Sequence, residues 1–215
     1  MTWSEQAWKS CEKIFEKIIK QPFIQELMDG SLPREKFLFY QNQDAFYLAE
    51  YGRILAAIAS RLDSDDWRDA FLSFSKDTLL VEKVLHQSYL KDDFKNTEPS
   101  LSNMLYTGYL WSRLAGASLN ECLAAVLPCF WVYKEVGDYI IATRKTNDNP
   151  YQAWIDTYGS EDFAAAVDKA IMICDSYAND SSEEMQKRMT KAFETTFKME
   201  WLFWQSAYEM EQWRI

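Results

Sequence analysis

Apolar residues recur at three- and four-residue spacing along almost the whole chain, and no convincing run alternates with a period of two. That spacing gathers side chains on one side of a helix with 3.6 residues per turn, whereas a half-buried strand needs every second residue apolar. The chain is therefore expected to be all-α, a helical bundle in which residues 1–215 form one domain. Start and stop signals divide it into about eight helices.

The first is expected over Trp3 to Lys20. After Asp29-Gly30-Ser31-Leu32-Pro33, a long one runs from Arg34 to Arg61 with Pro33 near its first turn. Ser64-Asp65-Asp66 caps the next, which continues to about Leu90. The polar stretch Lys91 to Ser100 reads as a loop, and a helix follows to about Ala115, ended by Gly116. Ser118-Leu119-Asn120-Glu121 has capping-box spacing and opens a helix that ends near Arg144. Asn147-Asp148-Asn149-Pro150 turns into a short helix to Tyr158. Gly159 stops that one, Ser160 caps its successor, and Asn179 to Ser182 precedes a final helix of about thirty residues.

What is scarce excludes as much as what is abundant. The single histidine, His86, rules out the paired Glu-x-x-His sites of di-iron bundles and the two or three histidines usual at a catalytic zinc. No metal and no cofactor is expected; His86 reads as a hydrogen-bonded structural residue, with a haem axial ligand the alternative. Six glycines contain no GxG, so phosphate-cradling loops are absent. A net charge of −10 argues against nucleic acid and anionic membrane surfaces, which need clustered Lys and Arg. Met1-Thr-Trp-Ser-Glu-Gln-Ala-Trp has no basic stretch followed by an apolar one, so no secretory signal is expected. The most apolar segment, Cys122 to Val132, has about half of the roughly 20 residues a membrane span requires. Four cysteines without CxxC pairing suit free thiols in a reducing cytoplasm.

Three residues stand where the helical pattern calls for something else. The inward stripe of the second long helix reads Phe37, Tyr40, Asp44, Tyr47, Leu48, Tyr51, Leu55, Ile58, so Asp44 interrupts an aromatic face. A carboxylate there costs several kcal/mol unless partners satisfy it. It belongs either to a core network with Tyr40, Tyr47 or Gln43, or to a ligand pocket. On the last helix Glu200 takes the place of a Leu among Phe193, Phe197, Trp201, Trp204, Ala207 and Tyr208. A salt bridge to a buried Arg and a pocket position both fit it. In Leu127-Pro128-Cys129-Phe130-Trp131-Val132-Tyr133, Pro128 cannot donate to the carbonyl of Ala124 and disturbs the helix beside Cys129, with Tyr133 a turn further on. Taken alone, Cys129 reads as inert packing, with reactivity the alternative. A thiol, two carboxyls and several tyrosines suit attack on a heteroaromatic ring, whose nitrogens and exocyclic amine a carboxyl can bind.

At these positions the sequence resembles the thiaminase II family, also called TenA-like, of the haem-oxygenase-type helical fold. The resemblance is carried by Phe23-Ile-Gln-Glu-Leu, Gly30-Ser-Leu-Pro-Arg-Glu-Lys-Phe and Tyr40-Gln-Asn-Gln-Asp-Ala-Phe-Tyr-Leu-Ala-Glu-Tyr. It continues with Leu127-Pro-Cys-Phe-Trp-Val-Tyr-Lys-Glu-Val-Gly, Asn149-Pro-Tyr-Gln-Ala-Trp-Ile-Asp-Thr-Tyr and Met199-Glu-Trp-Leu-Phe-Trp. The cysteine after Leu-Pro places it with the family's cysteine branch. The resemblance implies hydrolysis of an aminopyrimidine, chiefly 4-amino-5-aminomethyl-2-methylpyrimidine to its hydroxymethyl form, and of thiamine to pyrimidine plus thiazole. It implies Cys129 as nucleophile at C6 of the ring, Glu200 as acid/base and Tyr47 as the partner that favours the ionised thiol. Asp44 then holds the amino edge, Tyr133 binds substrate, and Tyr106 and Tyr158 line the pocket, with Tyr109 competing for the role of Tyr106. Phe130 stands where tyrosine is common in the family. A cytoplasmic homotetramer is also implied. A non-catalytic pyrimidine-binding module and a haem-binding module are the other functions this scaffold can host.

Overall fold

Serine and threonine caps set most of the helix starts. Thr2 with Glu5, and Ser118 with Glu121, form reciprocal capping boxes, while the hydroxyls of Ser100, Ser160 and Ser182 each accept from a backbone N–H three residues on. Each such cap stabilises its helix by about 1 kcal/mol. The computed structural model describes residues 1–89, 98–144 and 148–214, the side chains of residues 79–89 excepted. Among them nine helices form and no strand. They are α1 (Trp3–Ile19), α2 (Pro22–Asp29), α3 (Arg34–Ala59), α4 (Asp65–Tyr89), α5 (Leu101–Gly116), α6 (Leu119–Thr143), α7 (Gln152–Tyr158), α8 (Glu161–Asn179) and α9 (Glu183–Glu209).

The all-helical expectation agrees with this architecture, and most of the expected boundaries fall within a residue or two of those observed. The helix the sequence reading passed over is α2. Its N-cap is Gln21, which makes no side-chain cap, so the usual polar start signal is missing. Tertiary contact fixes it instead. The Gln21 amide donates to the Trp201 carbonyl of α9 at 2.8 Å, and Gly30 closes the helix at φ 75, a left-handed conformation that favours glycine. The His86 side chain and most of the Lys91–Ser100 loop lie outside the described residues, as does Asn147 of the turn before α7.

The core is centred on α6, which is buried on every side from Glu121 to Pro128, as expected of a helix apolar all round. α8 and α9 flank it, α1 leans on α9, and α3 and α4 pair along their length. All eight residues of the expected α3 stripe are buried, but the buried run Phe37–Asp44 is continuous, so the first half of α3 is enclosed by neighbours on all faces. No helix of the described residues is long and apolar enough to cross a membrane.

One feature of the C-terminus ties two helices together. Met210 adopts φ 49 after α9, a strained choice for a residue with a Cβ, costing about 1 kcal/mol or more. The turn lets the Glu211 N–H bond back to the Ser206 carbonyl at 2.9 Å and sets the Glu211 carboxylate on the Ser102 N–H at 2.9 Å, in the first turn of α5. An acid there satisfies an otherwise orphaned donor and opposes the helix dipole. The clasp holds the start of α5 to the end of α9, the two helices that bring Tyr106 to Glu200.

Candidate active site

The three out-of-pattern residues come from three helices, Asp44 from α3, Cys129 from α6 and Glu200 from α9, and they share one electrostatic environment. Asp44 and Glu200 are 4% and 1% exposed, and both raise the pKa of the Cys129 thiol, after the dominant effect of its own burial. A cavity of about 430 Å³ opens beside them, lined on its inner side by Asp44, Tyr51, Cys129, Phe130, Tyr133 and Tyr158. Its volume lies within the roughly 300–1,000 Å³ usual for small-molecule sites. Cys129 is half-buried and the other three cysteines are buried, all four being free thiols. Tyr47, Tyr106 and Glu200 are not on that wall. They lie in the layer behind it.

The carboxyl of Glu200 is met by a tyrosine rather than by a buried arginine. The Tyr106 hydroxyl donates to its Oε1 at 2.5 Å. Burial pushes the Glu200 pKa up to about 8; the Tyr106 bond pulls it down and the charge of Asp44 pushes it further up. At neutral pH the group is therefore mostly a neutral acid, able to donate a proton. Tyr109 faces elsewhere, with the Arg113 guanidinium 5.1 Å from its ring centre.

The tyrosines fall into two groups. Tyr47 stacks between Tyr51 and Tyr106, with ring centres 5.3 and 4.8 Å away. Its hydroxyl is buried and makes no hydrogen bond of normal geometry among the described residues, and after burial Cys129 contributes most to raising its pKa. Both Tyr47 and Tyr51 pull the thiol pKa down, against the larger upward push of burial and the carboxyls. The Tyr51 proton itself goes to the Val126 carbonyl at 2.7 Å. This bond anchors α3 to the stretch of α6 just before Pro128. In the second group Trp154 Nε1 donates to the Tyr40 hydroxyl at 3.1 Å, and Tyr40 donates to Tyr133 at 3.3 Å. The relay ends at Tyr133, which lines the cavity. Burial holds these phenols well above their usual pKa, so they act as neutral donors.

Tyr158 reaches the cavity because α6 has no side chain in its way. A Cβ on Gly137 would lie 2.7 Å from the Tyr158 carbonyl oxygen, an impossible contact. Gly137→Ala is expected to push the end of α7 outward, destabilise the protein by about 1–3 kcal/mol and weaken ligand binding. Thermal unfolding and a binding titration on the same preparation check both effects.

Of the seven residues singled out in the sequence, Asp44, Cys129, Tyr133 and Tyr158 line the cavity, and Tyr47, Tyr106 and Glu200 back it. The outer wall escaped the sequence reading. It is formed by Phe74, Asp77 and Thr78 of α4 and by Thr157, Ser160, Asp162, Phe163 and Ala166 around the α7–α8 junction. These residues carry no pattern anomaly; only the folded arrangement brings them together. Among the described residues no group of three or more His, Cys, Asp or Glu is placed to hold a metal ion.

An all-helical scaffold enclosing a thiol, a neutral buried acid and a second carboxyl within a ring of phenols belongs to the class of small-molecule sites built inside helical bundles. Residues 8–210 match the model of the TENA/THI-4/PQQC family, and the chain is a member of that family. It is 31% identical to an aminopyrimidine aminohydrolase of Halalkalibacterium halodurans, over 99% of this chain and 98% of the relative. It superimposes on a TenA homologue protein from P. horikoshii OT3 with a TM-score of 0.84 and 29% identity, covering 97% and 99% of the two chains. A Shewanella denitrificans domain of unknown function with a haem oxygenase-like fold is alike in fold alone, with a TM-score of 0.72 at 12% identity over 96% and 92% of the chains.

Proposed function

We propose that this protein is an aminopyrimidine aminohydrolase of thiamine salvage, a thiaminase II, working by covalent cysteine catalysis. The observation that carries the reading is that Cys129 and Asp44 line one aromatic cavity with Glu200 buried behind it, in a chain that matches a relative of that name over 99% of its length. The substrate is 4-amino-5-aminomethyl-2-methylpyrimidine, with thiamine a second candidate. Residues 1–215 act as one domain.

In this reading Asp44 accepts from the exocyclic amine, and Tyr133 donates to the bound ring. Cys129 sulfur bonds to C6 while Glu200 gives its proton to the adjacent ring nitrogen. Tyr106 occupies Glu200 Oε1, leaving the second oxygen for that transfer. The proton shed by the thiol leaves with the departing amine, whose C–N bond breaks as the ring's electrons shift outward. Water then adds its hydroxyl to the exposed carbon and returns a proton to Glu200. Sulfur departs with the ring nitrogen's proton and the thiol is restored. Because the resting thiol is protonated, Tyr47 is assigned to steady the sulfur's charge as it forms, through its otherwise unengaged hydroxyl.

Incubation with each compound, followed by product analysis, tests the reading. Ammonia and hydroxymethyl pyrimidine from the first substrate support it. Saturable binding with unchanged substrate after long incubation would make the protein a binding module. Tyr106→Phe adds a sharper check. Removing the bond that lowers the Glu200 pKa moves it above about 8, so the alkaline fall in rate shifts to higher pH. An unmoved limb in the pH–rate profile would deny Glu200 the acid's role.

The homotetrameric state implied by the family likeness has one structural feature in its favour. Leu101, Met104, Leu105 and Trp111 form an exposed apolar strip along α5, and Gly108 within it has open space beside it. Such a strip is suited to contact with another copy. Sedimentation velocity of the purified protein distinguishes a tetramer from a monomer.

A further inference from the structure

The inner end of the cavity has been given a task; its mouth has not. Two carboxylates stand there, each from a different helix. Asp77 lies on α4, and Asp162 in the first turn of α8. Both are exposed, whereas Asp44, Tyr133 and Tyr158 at the inner end are buried, so the lining runs from a buried aromatic floor to an acidic rim. Neither carboxylate makes an ion pair among the described residues. Asp77 accepts only a long bond from the Ser73 hydroxyl at 3.4 Å. Among the described residues that line the cavity there is no lysine or arginine to offset the two charges.

At the opposite end, the buried Asp44 carboxyl and the Cys129 thiol line the cavity among tyrosines, which makes the inner end the place where a ligand's polar ring docks. In the aminopyrimidine reading, a ring held there by Asp44 and attacked at Cys129 is assigned with its 5-substituent toward the open end, through which the departing group leaves. That substituent is positively charged in both candidate substrates. It is an ammonium in the aminomethyl pyrimidine and a thiazolium in thiamine, whereas the hydroxymethyl product is neutral there.

Resting on the aminopyrimidine reading, we infer that Asp77 and Asp162 form a cation-selecting rim that favours substrates with a positively charged 5-substituent over the neutral product. The rim speeds entry of the cationic substrate and gives the neutral product no added hold, because the attraction vanishes once the cationic group has gone. Two exposed charges in a partly screened setting account for a modest effect, about three- to tenfold in affinity. Asp162 also sits where an acid favours the N-terminus of a helix, so loss of stability alone says nothing about the rim.

The test compares Asp77→Asn, Asp162→Asn and the double variant with wild type. Steady-state rates are measured for the aminomethyl pyrimidine and for thiamine, and equilibrium binding for both and for hydroxymethyl pyrimidine. In the double variant KM for the cationic substrates is expected to rise about three- to tenfold with kcat within about twofold, and Kd for the neutral product to stay unchanged. Added salt should raise the wild-type KM and leave that of the double variant nearly flat. A rise confined to one substrate supports the rim and identifies ammonium or thiazolium as the cation it selects. Equal weakening of cationic and neutral ligands, or no change in any of them, overturns the inference. The binding arm does not need turnover. A wild type that binds both compounds without hydrolysing either would overturn the proposed reaction and leave the rim to be judged by the Kd values, and a wild type that binds none would remove both.

Discussion

Cys129→Ser is expected to cut ammonia release from the aminomethyl pyrimidine by at least about a thousandfold, while leaving the helical fold and pyrimidine binding in place. The exchange nearly preserves volume, so the wall of the cavity keeps its shape. What changes is the nucleophile. A hydroxyl is far harder to ionise than a thiol, and burial plus the two carboxyls already make ionisation costly at position 129. No imidazole lies among the described side chains to take the proton, so serine has no base to activate it. If Cys129 were packing alone, the same variant would show a small change in unfolding temperature and near-normal turnover. A discontinuous ammonia assay, run beside thermal unfolding, separates the two outcomes.

Glu200→Gln is expected to lose about a hundred- to ten-thousandfold in turnover and yet to gain stability at neutral and alkaline pH. Glutamine keeps the shape and can still accept from Tyr106, but it has no proton to give. The stability effect follows from linkage. The folded pKa of Glu200 is about 8 against 4.5 for the unperturbed group, so between those values the folded state binds more protons than the unfolded one. The favourable contribution is complete below about pH 4.5, falls as pH rises, and is gone above about 8. A shift of that size is worth several kcal/mol. The glutamine variant carries no such penalty. Its unfolding temperature should therefore exceed that of wild type at pH 8 and the difference should shrink toward pH 5. A variant that is less stable at every pH would contradict the protonation state assigned to Glu200.

Much of the fold was legible because helix caps and apolar periodicity are local. Ser118 and Glu121 announce α6 within four residues, and the reciprocal bonds are there. α2 was illegible for the converse reason: its start depends on a contact between Gln21 and Trp201, 180 residues apart, which no window of sequence contains. The inner half of the site could be read from anomaly. Asp44 and Glu200 stand where a leucine belongs, and a proline precedes Cys129 inside a helix. Periodicity placed each on an inward face without saying that the three faces meet; that step came from family likeness in the sequence and from shared burial in the structure. Tyr40 and Tyr51 look like ordinary core residues in the stripe; the bond to Tyr133 gives Tyr40 a part in the site, and Tyr51 both lines the cavity and bonds to Val126. Asp77 and Asp162 resemble any solvated acid until two distant helices set them on one rim.

The central claim is that one bound ring is shared by the sulfur of Cys129 and the carboxyls of Asp44 and Glu200. A crystal structure of Cys129→Ser with 4-amino-5-aminomethyl-2-methylpyrimidine tests it most directly. The expected result is a ring in the cavity with C6 within about 3.5 Å of the side-chain oxygen at position 129, its amino edge on Asp44 and a ring nitrogen toward Glu200. A ring bound elsewhere, or turned with C6 away from position 129, would contradict it.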